Sequence, residues 1–319
     1  MKKILITGAY GFVGQNLSAY LKQQAGMALA SLDIVADPEH PSYEVCYSWN
    51  NLEAINWDDI DTVIHLAGKA HDTKNQSAAA AYFEINTGLT KTIFDLFLAS
   101  KARKFIFFSS VKAAADKVDG EFLTEDITPA PKGPYGESKI LAESYINKVV
   151  ASQTPQLQGK EVFILRPCMI HGPGNKGNLN LLYNVAGKGV PYPLGAFDNK
   201  RSFLSIGNLC YILEALIKRE IKGGIYHLAD DDALSTNDLI TLIAQSVQKP
   251  ARIWKWNKRL VCLMAGVGDV VKLPLNSERL QKLTENYVVS NRKIKEAIGI
   301  QQLPVSATDG LLVTLQSFR

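Results

Sequence analysis

The feature that most constrains this chain lies at its very start. The apolar run Ile4-Leu5-Ile6 passes through Thr7 into Gly8-Ala9-Tyr10-Gly11-Phe12-Val13-Gly14, and Phe12 to Gln24 then follows with helical periodicity. A short apolar run without alternation reads as a strand buried on both faces, which is the habit of a parallel sheet. Glycines at the turn let the backbone reverse tightly and approach an anion closely. The helix beyond offers unpaired N–H groups and the positive end of its dipole. Strand, glycine loop and helix in that order predict the first βα unit of a dinucleotide-binding sheet, with Gly8, Tyr10, Gly11, Phe12, Val13 and Gly14 around the pyrophosphate. The glycine spacing differs from the common G-x-G-x-x-G, so the weight rests on the flanking strand and helix.

The rest of the first half repeats the rhythm. Ala28 to Ile34, Thr62 to Ala67, Phe105 to Phe108 and Val162 to Leu165 read as further buried strands separated by helical segments. Such alternation implies right-handed crossovers and an α/β fold of Rossmann type, a doubly wound parallel sheet. From about residue 167 the pattern loosens around Gly172-Pro173-Gly174. We therefore expect residues 1–166 to form a NAD-binding domain and 167–319 a smaller α/β substrate-binding lobe, partly interleaved with the first. A chain of 319 residues has room for both.

The second strand ends at Asp33, where a carboxylate can accept both ribose hydroxyls of an adenosine and would repel a 2′-phosphate. No arginine follows it, so the expected cofactor is NAD rather than NADP. Further on, Tyr135 and Lys139 stand four apart at the start of a helix that Pro134 helps begin, which places both on one helix face. They follow Ser109-Ser110 at the carboxyl end of a buried strand, the sheet edge at which open α/β folds bind ligands. Tyr135 can take a proton from a substrate hydroxyl as hydride leaves the same carbon, with Lys139 favouring its phenolate and Ser110 hydrogen-bonding the reacting oxygen.

Composition closes off other classes. Net charge is +4 with 35 Lys and Arg dispersed along the chain, so no nucleic-acid partner is expected. Cys46, Cys168, Cys210 and Cys262 show no paired spacing, and the five histidines no ligand spacing, so neither a disulfide scaffold nor a metal site is expected. The N-terminal apolar run is too short for a signal peptide, and Leu260 to Val267 is too short for a membrane span. The expectation is a cytoplasmic protein without stable membrane insertion. Arg252 to Trp256 and Lys258-Arg259 before that greasy run can mark a membrane-surface helix, although a buried helix of the substrate lobe is the reading preferred here.

Taken in order, Thr7-Gly8-x-x-Gly11-Phe12-Val13-Gly14, His65-Leu66-Ala67-Gly68, Asn86, Ser109-Ser110, Pro134-Tyr135-Gly136-x-Ser138-Lys139 and Arg166-Pro167 resemble the extended short-chain dehydrogenase/reductase family. Gly172-Pro173-Gly174, Arg201-Ser202-Phe203 and Asn291 to Leu311 extend the likeness over essentially the whole chain. Within that family it is most similar to the nucleotide-sugar epimerase/dehydratase branch, near bacterial UDP-glucose 4-epimerase-like proteins of surface-polysaccharide synthesis. The resemblance implies that Leu66 and Ala67 line the cofactor path and that Lys139 also grips the nicotinamide ribose. It further implies that Asn178, Arg201 and Arg279 hold a uridine diphosphate, with Ser110 and Tyr135 on the sugar, and that the chain dimerises through segments near 82–100 and 138–152.

Three departures narrow the reading. Val111-Lys112-Ala113 replaces the Asp-Glu pair of the 4,6-dehydratases, so dehydration is disfavoured. Ser48-Trp49-Asn50 stands where an Asp would cap adenine, and Met169 where many UDP-galactose epimerases place a substrate-binding Asn. The leading expectation is C4 epimerisation of a UDP-hexose or UDP-N-acetylhexosamine through a transient 4-keto intermediate. A C4 reductase or dehydrogenase is the alternative. A non-catalytic dinucleotide sensor is a distant third, since it would have no need of Tyr135 and Lys139.

Overall fold

The structure, a computed structural model, describes residues 1–69, 79–175, 178–271 and 276–318; the side chains at 178, 268, 270, 271, 278, 279 and 282 lie outside the described set. The main sheet contains β1 (Lys2–Thr7), β2 (Met27–Asp33), β3 (Val45–Ser48), β4 (Thr62–His65), β5 (Lys104–Phe108) and β6 (Glu161–Pro167). A short pair, β7 (Met169–His171) and β8 (Phe203–Ser205), stands apart, and β9 (Gly224–Leu228) returns to the main sheet. The order is β3-β2-β1-β4-β5-β6-β9, with every neighbouring pair parallel. The expected Rossmann-type sheet is present.

Period-two alternation sends Ile4 and Ile6 to one face of the sheet and Leu5 to the other, each fully buried in its own apolar cluster. The Ile4 face is covered by α1 (Phe12–Lys22), through Leu17 and Leu21, and by a later helix, Ile206–Lys218. The opposite face carries the segment from α2 (Ala79–Tyr82) through α3 (Thr90–Ala99) and, after the short α4 (Val111–Ala114), whose Val111 joins the Ile4 cluster, the long α5 (Gly133–Ala151), whose Ala142 and Ile146 pack with Phe94, Phe97 and Phe105. The remaining helices are α6 (Asn178–Ala186), α7 (Ile206–Lys218), α8 (Thr236–Ser246), α9 (Lys258–Val271), α10 (Ser277–Thr284), α11 (Arg292–Ile298) and α12 (Ala307–Gln316). A reciprocal capping box of Ser235 and Asp238 starts α8. The smaller cluster of Leu179, Phe203, Ile240, Ile243, Leu311 and Leu315 joins α6, α8 and α12 around the β7–β8 pair.

Two features depart from the sequence reading. Between α2 and α3, Phe83–Leu89 winds as a π-helix, because the buried Asn86 side chain turns inward to bond Lys69 and Ser138. And α9 is not the buried helix preferred from sequence. Val261 and Ala265 are buried, but Leu260, Leu263, Met264 and Val267 are 51%, 67%, 41% and 53% exposed. Its inner side needs only two small side chains to pack on Leu194 and Leu280, so the larger apolar residues are left outside. No helix among the described residues is long and apolar enough to cross a membrane.

Candidate active site

The strand order reverses between β1 and β4, and that switch point brings the glycine loop against the end of β4. Gly8 adopts φ +66°, and a Cβ there would stand 2.7 Å from the Ala67 amide nitrogen. At Gly14 a Cβ would meet the Ala9 carbonyl oxygen at 2.4 Å, so α1 can lie this close to the loop only with glycine. Gly11 is the N-cap of α1, with no capping side chain and no acidic residue in the first turn. The helix start is thus open to an anion, as expected for a pyrophosphate.

Asp33 ends β2 in register with Ser48 at the end of β3. Its carboxylate accepts from the Tyr10 amide at 2.8 Å and from the Ile34 amide at 2.7 Å. Each oxygen so oriented keeps a lone pair for a ribose hydroxyl. The Tyr10 hydroxyl bonds Ser31 at 3.0 Å and accepts from the Asp37 amide at 2.9 Å, which fixes the loop against β2. These groups fit a bound NAD: an open helix N-terminus, a close-approach glycine turn and an oriented carboxylate. Trp49 begins a 3₁₀ turn directly after Ser48, so a serine and an indole follow one another at the end of β3.

Under the loop lies a polar network that the sequence reading did not assign. His65 is fully buried, with Nδ1 2.7 Å from the Thr7 hydroxyl and Nε2 3.0 Å from the Thr90 hydroxyl, while Thr90 donates to the Asn86 carbonyl at 2.7 Å. That pattern assigns the proton to Nε2. Burial, with the Lys139 charge adding, holds the His65 pKa down to about 3, so the ring is neutral. The Asn86 amide accepts from the Lys69 amide at 2.8 Å and donates to Ser138 at 3.0 Å. The i, i+4 pair of Asn86 and Thr90, both polar on a helix face that must be buried, is the signal sequence inspection had available.

Tyr135 and Lys139 sit in the first turns of α5, one turn apart, with Pro134 at its start. Tyr135 shares a hydrogen bond with Ser110; burial pushes the phenol upward and that bond pulls it back. Tyr82 meets its ring edge-on, centroids 6.3 Å apart. The Lys139 ammonium is buried, donates to the Phe108 carbonyl at 2.8 Å and is pushed down to about 8, chiefly by loss of water. A Cβ on Gly68 would lie 2.9 Å from this ammonium, so glycine is what lets the strand-β4 edge pass over it. Ser110 caps α4 by accepting from the Lys112 amide at 3.2 Å. Lys112 itself pairs with Asp116 at 3.1 Å.

One turn below Lys139, Glu143 is fully buried against Arg166, with Nη2–Oε2 at 2.5 Å and Nε–Oε1 at 3.0 Å, and it accepts from the Ser109 hydroxyl. This pair ties α5 to β5 and β6 directly behind Ser110. Arg166 lay in a quoted motif without any role, and Glu143 lay outside all of them.

Arg201 is held in place through its backbone by Leu234 and Tyr287. Its Nη2 lies 3.2 Å from Glu285 Oε1, and its buried Nε makes no hydrogen bond among the described residues. Tyr287 in turn donates to the Ala115 carbonyl at 2.8 Å, so the Arg201 segment is anchored to the helix that starts at Ser110. Met169 opens β7 and is partly exposed. Asn178 begins α6 and Arg279 lies within α10, but their side chains fall outside the described residues.

Fold and site together define a dinucleotide-dependent enzyme of the short-chain dehydrogenase/reductase type. A family model described as the NAD dependent epimerase/dehydratase family matches residues 4–229, and the chain belongs to that family. A UDP-glucose 4-epimerase of Vibrio cholerae is 30% identical over 332 residues, covering 99% of this chain and 95% of the relative. An N-acetyl-alpha-D-glucosaminyl-diphospho-ditrans,octacis-undecaprenol 4-epimerase of Escherichia coli O157:H7 is 27% identical over 77% of this chain and 72% of its own length. In structure the chain is similar to a UDP-glucuronic acid 4-epimerase of Bacillus cereus in complex with NAD, with TM-score 0.74, 18% identity and coverage of 99% and 96%. The protein is an NAD-dependent enzyme of the sugar-nucleotide epimerases, dehydratases and reductases.

Proposed function

We propose that the chain inverts C4 of a UDP-hexose or UDP-N-acetylhexosamine through a transient ketone at that carbon. The observation that carries this is the arrangement of Tyr135, bonded to Ser110 and one helical turn from buried Lys139, at the sheet edge beside the glycine loop. Gly8, Gly11, Gly14, Asp33, Leu66 and Ala67 would hold NAD, which when bound accepts and returns a hydride and adds a positive charge near Tyr135.

The Tyr135 oxygen takes the proton of the C4 hydroxyl and later returns it to the oxygen on the inverted carbon. Ser110 gives its one proton to the Tyr135 oxygen while that carries the charge and to the reacting oxygen once the proton has moved, which keeps the two oxygens together. The Lys139 ammonium, fixed by the Phe108 carbonyl, stabilises the phenolate across the helix turn. Val111-Lys112-Ala113 after Ser110 offers no carboxylate to serve in expelling water from the sugar, which favours epimerisation over dehydration in this reading. Arg201 takes the diphosphate with its free Nε; Asn178 and Arg279 belong to the same proposal.

A second carrier for the sugar diphosphate, a polyprenol in place of uridine, is the substrate class of the O157:H7 relative. The exposed apolar stripe on α9 gives a polyprenol chain a surface to lie against. The test is to incubate the purified protein with UDP-GlcNAc, UDP-Glc and GlcNAc-diphospho-polyprenol, following C4 configuration by NMR. Inversion of a uridine-linked sugar supports the first reading; inversion of the polyprenol substrate alone replaces it with the second.

A further inference from the structure

We infer that α9 and the Trp254–Trp256 segment before it form a peripheral docking face for an anionic phospholipid surface. Leu260, Leu263, Met264 and Val267 recur at i, i+3, i+4 and i+7 and make one apolar stripe, each between 41% and 67% exposed. Trp254 and Trp256 precede it, 50% and 39% exposed, with ring centroids 6.3 Å apart. Indoles with an apolar body and one polar N–H suit the boundary between headgroups and acyl chains.

Charge identifies the occupant. Arg252, Lys255, Lys258 and Arg259 lie just before and at the start of the stripe, all exposed, and none makes an ion pair among the described residues. The helix's own carboxylate, Asp269, is engaged by the Ser277 amide at 2.9 Å and its hydroxyl. A second copy of the chain offers these cations no matching anionic surface here, since the one described carboxylate of α9 is already engaged by Ser277. An anionic bilayer neutralises them, and an amphipathic helix of this length lies in the surface without crossing it.

The face is also well placed. Val261 and Ala265 anchor α9 on Leu194, and the Tyr192 and Gly195 amides bond the Arg252 and Trp254 carbonyls at 2.8 and 3.0 Å. The same loop runs on to Arg201. Docking through α9 therefore engages the segment that leads to Arg201, the residue proposed above to hold the diphosphate.

The test is co-sedimentation of the full-length, NAD-loaded protein with two kinds of vesicle: phosphatidylcholine alone, and phosphatidylcholine with about a quarter phosphatidylglycerol. The wild type should partition to the mixed vesicles, more weakly as salt rises, and little to phosphatidylcholine. Leu263→Glu should lower that partition at least about tenfold. Lys255→Glu and Arg259→Glu should each lower it about fivefold or more. Leu263→Glu should leave turnover of a soluble UDP-sugar unchanged, which separates this inference from the proposed activity. Equal, low partition to both vesicles would overturn it. So would a Leu263→Glu protein that binds as the wild type does, or one that merely turns a dimer into a monomer.

Discussion

At Tyr135 and Lys139 burial works on two groups of opposite charge type, raising the phenol and lowering the ammonium to about 8, so loss of water favours the neutral form of both. The Ser110 hydrogen bond opposes this for the tyrosine, and Glu143 opposes it for the lysine. At neutral pH Lys139 therefore keeps its proton and can support a phenolate one turn away. Tyr135→Phe should cut turnover by about 10²- to 10⁴-fold while bound NAD stays with the protein; unchanged turnover would remove Tyr135 from the chemistry. Asp33→Ala, which removes an oriented acceptor pair, should weaken NAD by about ten- to a hundredfold. NADP should lose less, as read by titration calorimetry with each nucleotide. These candidates stood out because their chemistry sits in short, ordered motifs. The contacts of Glu143, Arg166 and His65 did not, since a buried ion pair and a neutral core histidine depend on partners from distant strands.

Among the elements, α5 carries the largest share of the site, with Tyr135 and Lys139 in its first turns and Glu143 one turn further on. Glu143→Ala would leave the Arg166 guanidinium buried and uncompensated, a cost of about 3–5 kcal/mol. Its thermal midpoint should drop sharply, and Glu143→Leu combined with Arg166→Met should recover much of the loss. The β1–β4–π-helix junction has a pH signature. An unfolded histidine takes a proton below about 6.5, whereas His65 resists until about 3. Between those values the unfolded state binds more protons, so stability falls as pH falls. Denaturant melts at pH 7 and pH 5 should differ by about 2 kcal/mol more in the wild type than in His65→Asn. The π-helical turn escaped the sequence because its cause is Asn86 reaching across to Lys69 and Ser138, not a local preference.

For the whole molecule, the parallel sheet followed from uniformly apolar strands, whereas its order and the switch point between β1 and β4 came from the structure. The later half was harder to read. β9 and α7 rejoin the main sheet after the β7–β8 pair, and α9 turns its larger apolar residues outward, choices made by packing partners far off in sequence. Dimerisation through the 82–100 and 138–152 segments remains our proposal, and sedimentation velocity should find a dimer. The central claim is that C4 is oxidised and then reduced by the same hydride within one active site. It is tested by a UDP-sugar deuterated at C4, incubated without added nucleotide and followed by NMR. The account predicts both C4 epimers with the deuterium retained at C4. Loss of the label to solvent, or turnover only when NADH or NADPH is supplied, would contradict it.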